Sequence, residues 1–227
     1  MGNLSFDTLT ELLKFRAGNN PALDSAMASG TNLYEFWINQ AYRQLCSQDY
    51  VLGLKKRLYF PQLFTSSTAS TADTTAYVSV PANCLYITEV FDTTNGKKLN
   101  HITWKQYIEY TDRTTASSEG DPTEWTRSGS RIYIHPTADA VMTLTIYFKK
   151  LVTDLSGTLT TDIGAEWDDA IIELATYKMF TWTHEDAAKV KQVKESFLEM
   201  AAGLADIYWN ENKDRDESFG PSSAYLS

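Results

Sequence analysis

Three short runs decide how this chain folds: Tyr77-Val78-Ser79-Val80-Pro81, Gly120-Asp121-Pro122-Thr123-Glu124-Trp125 and Arg131-Ile132-Tyr133-Ile134-His135-Pro136. The last leads into Leu144-Thr145-Ile146-Tyr147-Phe148-Lys149-Lys150. β-branched and aromatic side chains dominate, and turn residues punctuate the runs, which is the pattern of short strands. Pro81 and Pro136 fall where strands would end, because proline cannot donate to a β-ladder. Ser128-Gly129-Ser130 reads as a hairpin turn between Trp125-Thr126-Arg127 and Arg131 onward. Residues 58–60, 76–80, 86–91 and 141–148 read as strands in the same way. The expectation is a small antiparallel sandwich or barrel.

Outward from this centre the period changes to that of helices. Residues 5–16 place Phe6, Leu9, Leu12 and Leu13 on one face, with Thr8 and Glu11 at capping-box spacing, and Gly18-Asn19-Asn20-Pro21 stops the run. Residues 32–47 form a second helix that Asn32 can cap, with Glu35 at the third position. Helix returns at 165, carried by Trp167, Ala170, Ile171, Leu174, Ala175 and Met179. Thr183 then reads as a new cap before an acidic first turn. Val190, Val193, Phe197, Met200, Leu204 and Ile207 follow at 3-4-3-4-3 spacing, a narrow seam for packing within the fold or against a neighbouring copy.

Two stretches stand apart as loops. Residues 65–75 (TSSTASTADTT) carry one charge and no large side chain, and 111–121 is a second long connection. The fold class is therefore α+β: two N-terminal and two C-terminal helices in one bundle (1–56 with 163–212), an inserted β-domain (57–162), and an extended tail (213–227). Nothing in that tail can fold alone, but Phe219, Tyr225 and Leu226 can anchor it to a partner.

Composition narrows the function classes. The 227 residues are 43% hydrophobic and 22% charged, which is globular material. Six Trp and 13 Tyr suit subunit interfaces as well as cores, because each ring buries its body and keeps a wet tip. The formal charge of −9 opposes a grip on nucleic-acid phosphates, and Lys55-Lys56-Arg57 and Lys97-Lys98 are too small to reverse it. Cys46 and Cys84 are expected to be free thiols in a reducing compartment. No apolar run approaches a membrane span, and Phe6 stands where a myristoylation signal wants Ser or Thr. The chain reads as soluble.

The search for chemistry is thin. His101, His135 and His184 make no metal-binding spacing, and neither Walker A, GxGxxG nor GxSxG is present. Asp121 with Glu124, and Glu166, Asp168 and Asp169 around Trp167, are the paired carboxylates a glycosidase would need. Turn initiation and a helix N-terminus explain them equally well. The expectation is a non-enzyme with no catalytic, metal or cofactor-binding residues.

Taken in order, these patterns resemble the head–tail adaptor (head completion, tail accessory) family of tailed bacteriophages, particularly its short-tailed type. The resemblance rests on the Asn-x-Ala step in Ile38-Asn39-Gln40-Ala41-Tyr42-Arg43-Gln44-Leu45, the strand closing on Pro81, and Leu85-Tyr86-Ile87-Thr88-Glu89-Val90. It continues through Gly120 to Trp125, the strand closing on Pro136, Tyr147-Phe148-Lys149-Lys150, and Ala170-Ile171-Ile172-Glu173-Leu174-Ala175, covering roughly 30–205. The resemblance implies a ring, typically of twelve copies, beneath the portal protein at the head–tail junction of the virion, assembled in the host cytoplasm. Double-stranded DNA would pass through an acidic lumen without specific binding, and the ring would present a platform to tail proteins such as nozzle, fibre or tube components. On that reading Phe219, Tyr225 and Leu226 are expected to dock on the portal. The two loops, with Thr65, Asp73, Thr75, Thr111 and Asp121, are expected to meet tail proteins. The rival is a carbohydrate-binding β-sandwich using Trp104 and Trp125 as sugar platforms.

Overall fold

The computed structural model describes residues 3–24, 32–72, 75–113 and 119–216. The elements run in the order α1 (Phe6–Arg16), α2 (Leu33–Ser47), β1 (Phe64–Ser70), β2 (Tyr77–Ser79), β3 (Cys84–Asp92), β4 (Lys97–Lys98) and β5 (Asn100–His101). They continue with α3 (Trp104–Arg113), β6 (Glu124–Ser128), β7 (Arg131–His135), β8 (Thr143–Lys150), α4 (Asp168–Trp182) and α5 (Ala187–Asp216). The fold is α+β. The described residues divide into two compact units: one built from those up to Leu63 together with those between Leu151 and Asp216, the other from those within Phe64–Lys150.

In the helical unit, each helix starts where a side chain satisfies backbone N–H groups that the helix leaves open. Ser5, not Thr8, caps α1: its Oγ accepts from Thr8 N at 3.3 Å. Asn32 accepts from Glu35 N at 2.8 Å and donates back to Glu35 Oε1 at 2.8 Å. Thr183 closes α4 rather than opening α5, and Asp186 caps α5 by accepting from Ala188 N at 2.8 Å. Helix α4 is buried nearly all round, at Ala170, Ile171, Ile172, Leu174, Ala175, Thr176 and Met179, because it packs against α1, α2 and α5 together. Its one deeply buried glutamate, Glu173, pairs with Arg16.

Residues 58–60, read from sequence as a strand, are not one. Leu58 and Phe60 join the helical core, where the Phe60 ring meets Trp167 edge-on at 4.8 Å. Leu63, Val152, Leu155 and Ile163 belong to the same core. The helical unit therefore takes in both segments flanking the inserted strands.

The second unit holds two four-stranded sheets, ordered β1-β8-β3-β4 and β2-β7-β6-β5, and neither closes into a barrel. All pairings are antiparallel except β5 with β6. Leu144, Ile146 and Phe148 of β8 join Val90 of β3, Ile132 and Ile134 of β7 and Trp125 of β6 in one core, as the period-two pattern requires. Ser128 pairs with Arg131 across a two-residue turn in which Gly129 takes φ +58°.

Parts of the two stretches expected to be loops, 65–70 and 111–113, are regular structure instead. Seven residues, Phe64–Ser70, pair in unbroken register with β8. Thr111 lies in α3, a helix that the hydrophobic pattern did not suggest.

Candidate interaction surfaces

The β unit carries a band of rings built by α3 lying on the second sheet. Thr103 and Gln106 form the capping box that starts α3: Gln106 N donates to Thr103 Oγ1 at 3.2 Å, and Thr103 N to Gln106 Oε1 at 2.9 Å. That Thr-x-x-Gln spacing is the sequence signal that could have revealed the helix. From its first turns Trp104 stacks on Tyr107 (5.3 Å, 17°), and both rings meet Tyr133 of β7, at 5.1 and 5.4 Å. Tyr133 reaches its cross-strand partner Tyr77 at 5.8 Å, and the Arg131 guanidinium lies 4.1 Å over the Tyr77 ring. At the other end Tyr110 stacks on His135 at 5.4 Å. Trp104 and Tyr77 keep 41% and 36% of their surface exposed, so the band ends in partly wet rings.

Beside this band lies an open groove of roughly 360 Å³, lined among others by Tyr86, His101, Trp104, Trp125 and Arg127. Arg127 is held in place by donating to Leu85 O at 3.2 Å and Gly129 O at 3.2 Å. His101 meets Trp125 edge-on at 4.7 Å and is itself exposed at the groove. Trp125 is 3% exposed, so it has no free face to offer a sugar, and Trp104 has one face taken by Tyr107. What the groove offers is apolar ring surface beside one fixed cation, suited to an aromatic or apolar side chain of a partner. Among the described residues no group of three or more His, Cys, Asp or Glu gathers to hold a metal, and no helix is long and apolar enough to cross a membrane.

The helical unit exposes its own apolar side chains. Phe15 is 76% exposed, Leu12 40% and Trp182 52%. Trp182 leans on Trp37 at 6.1 Å, and the indole N–H of Trp37 is buried with no hydrogen-bond partner among the described residues. Along α5, Phe197 of the expected seam is fully buried, Val190, Val193, Met200 and Leu204 are half-buried, and Ile207 is 54% exposed. The fully buried stripe runs Phe197, Ala201, Ala205, at four-residue spacing. Two of its three members are alanines, which a search for large apolar residues passes over.

The remaining site residues scatter. Thr65 is exposed on β1, opposite Phe148, while Thr75 donates its N–H to Ala72 O at 3.1 Å. Thr111 Oγ1 donates back to Ile108 O at 3.0 Å, within its own helix. Asp121 accepts from Asn95 Nδ2 at 3.3 Å at the surface. Asp73, Phe219, Tyr225 and Leu226 lie outside the described residues.

Two buried carboxylate and phenol contacts are structural. Asp168 accepts from Leu4 N at 2.6 Å and Thr161 Oγ1 at 3.3 Å, and burial nonetheless holds its pKa above the ordinary value. The Tyr42 hydroxyl accepts from Asp162 N at 2.8 Å, and burial raises its pKa strongly. Both groups tie loop backbone to helices, so their shifted pKa values need no catalytic explanation.

No curated protein matches the sequence. The sequence model of the SU10 adaptor protein family matches residues 8–224, which takes in the helices, both sheets and α3. The chain belongs to the SU10 adaptor protein family, whose members are bacteriophage structural adaptors rather than enzymes.

Proposed function

We propose that this protein is the head-to-tail adaptor of a short-tailed phage. Copies, twelve in the complete particle, form a ring beneath the portal, extend its DNA channel, and give tail proteins a platform. The observation that carries the reading is the family match over 8–224, which spans both compact units. The surfaces agree with it. Exposed Phe15 and Trp182 on the helical unit and the wet-edged ring band on the β unit give copies and partners something to bury. A ring of identical copies closes through heterologous contacts, so two different surfaces on one chain are what it needs. The charge of −9 lets DNA slide past without sticking. Phe219, Tyr225 and Leu226 remain the proposed portal anchors, and Thr65, Thr75, Thr111 and Asp121, with Asp73, the proposed contacts for tail proteins.

The test is genetic and structural together. Particles made without this chain should contain portal and packaged heads but no tails, and adding purified protein to such heads should restore tail attachment. Tailed particles assembling normally in its absence would refute the proposal.

A further inference from the structure

The charge of this chain is unevenly divided. Residues 64–150 carry eight Lys and Arg against nine Asp and Glu, a balance of −1, so the other −8 belongs to the rest of the sequence. Repulsion between copies is therefore weakest where one β unit meets another.

Within that unit the charges separate along the ring band. Register sets Glu124 of β6 opposite His135 of β7, and Ser128 opposite Arg131. These positions lie an even number of residues apart, so Glu124 and Arg131 share one face of the sheet and stand at its two ends. Four strand steps from Arg131 to His135 span about 13 Å. That exceeds the ~8 Å over which physiological salt screens a charge, so the two ends act separately. Helix α3 repeats the polarity, because it runs along β7 in the same sense: Trp104 meets Tyr133, and Tyr110 meets His135. Its first turn brings Lys105 to the Arg131 end, and its later turns bring Glu109 and Asp112 to the Glu124 end. Residues 109–124 hold five Asp and Glu against Arg113 alone. Lys105, Arg131, Glu109 and Asp112 are exposed and Glu124 is half-buried. None of the five joins an ion pair among the described residues. Apolar surface accompanies both charges. Trp104 and Tyr77 keep 41% and 36% of their surface exposed at the cationic end, and Ile108 keeps 37% beside Glu109 at the other.

We propose that the cationic end of one β unit seats on the acidic end of the same band in the next copy, head to tail. Local charge selects a second copy as the occupant, since the complement of each end is the other end of the same unit. Such a contact is heterologous. It uses a different surface on each partner and leaves one end of each copy open to a further copy, which is the contact a closed ring repeats. The half-exposed rings and Ile108 supply the apolar area that the charges surround. The inference rests on the ring reading and names the surfaces through which its copies join.

Electron microscopy of the purified full-length chain mixed with its cognate portal tests it. Wild type should give ringed portals. Lys105→Glu with Arg131→Glu turns the cationic end acidic, and Glu109→Lys with Glu124→Lys turns the acidic end cationic. Each of these variants alone should lower the fraction of ringed portals at least tenfold, with the circular dichroism unchanged. An equal mixture of the two should restore rings, because acidic and cationic copies can then alternate. Rings formed normally by either variant alone, or a mixture no better than its components, would overturn the inference and leave the adaptor reading standing. Wild type that leaves the portals bare would overturn both.

Discussion

Asn39 stands at a position where one side chain replaces a missing stretch of secondary structure. Its Oδ1 accepts from Leu155 N at 2.7 Å and its Nδ2 donates to Leu155 O at 3.1 Å, so an irregular segment gains both of its backbone bonds from α2. Two residues on, Ala41 is fully buried in the same core. The Asn-x-Ala step was legible as a pattern, but its purpose was not, because the partner lies 116 residues away. Asn39→Ala leaves two buried backbone groups unpaired and should lower unfolding free energy by about 2–4 kcal/mol, measured by urea denaturation. Asp168 gives a second test, through pH. Its carboxyl has a folded-state pKa raised by burial above the ordinary value of 3.8, so the folded protein binds the proton more tightly than the unfolded chain. Its contribution is therefore present in full below the unfolded value and is lost as pH rises through the folded one. Across that window above 3.8, wild type should lose stability relative to Asp168→Asn, and a difference between the two that stays constant with pH would count against the assignment.

At the scale of elements, legibility followed side-chain size. Helices α1, α2, α4 and α5 announced themselves through large apolar residues at helical period, and the β6–β7 hairpin through Gly129 between aromatic and β-branched runs. Strand β1 did not, because Thr, Ser and Ala carry no hydrophobic alternation; its pairing is dictated by β8, whose Leu144, Ile146 and Phe148 supply the core on its behalf. Helix α3 was hidden by a polar composition, with only its capping box to mark it. Residues 58–60 misled in the opposite direction, since an apolar run of three serves a helical core as well as a sheet. The interaction surfaces were less legible than the fold, because Trp104, Tyr107, Tyr133 and Tyr77 come together only once α3 lies on β7. The α5 seam allows a direct comparison of buried and exposed members. Phe197→Ala opens a cavity in the helical core and should cost about 3–5 kcal/mol, whereas Ile207→Ala, half in water, should stay within about 0.5 kcal/mol. Thermal or chemical unfolding of the two variants checks this, and equal losses would place Ile207 in a packing environment the fold does not provide.

For the whole molecule, the insertion of one unit into the other is the organising feature. The chain enters the β unit at Phe64 and leaves it after β8, and Phe64 pairs with Lys149, so entry and exit are neighbouring strands. An insertion whose ends meet in this way leaves each unit its own core, as the two separate hydrophobic clusters show. That arrangement suits a part that must present different surfaces to different neighbours, which is the central claim of the adaptor reading. The most direct test is electron microscopy of the purified chain mixed with its cognate portal. The account predicts a ring of this protein docked coaxially on the portal, with one copy per portal subunit and an open central channel. Portal particles that remain bare, or that bind this chain without a closed ring, would contradict it.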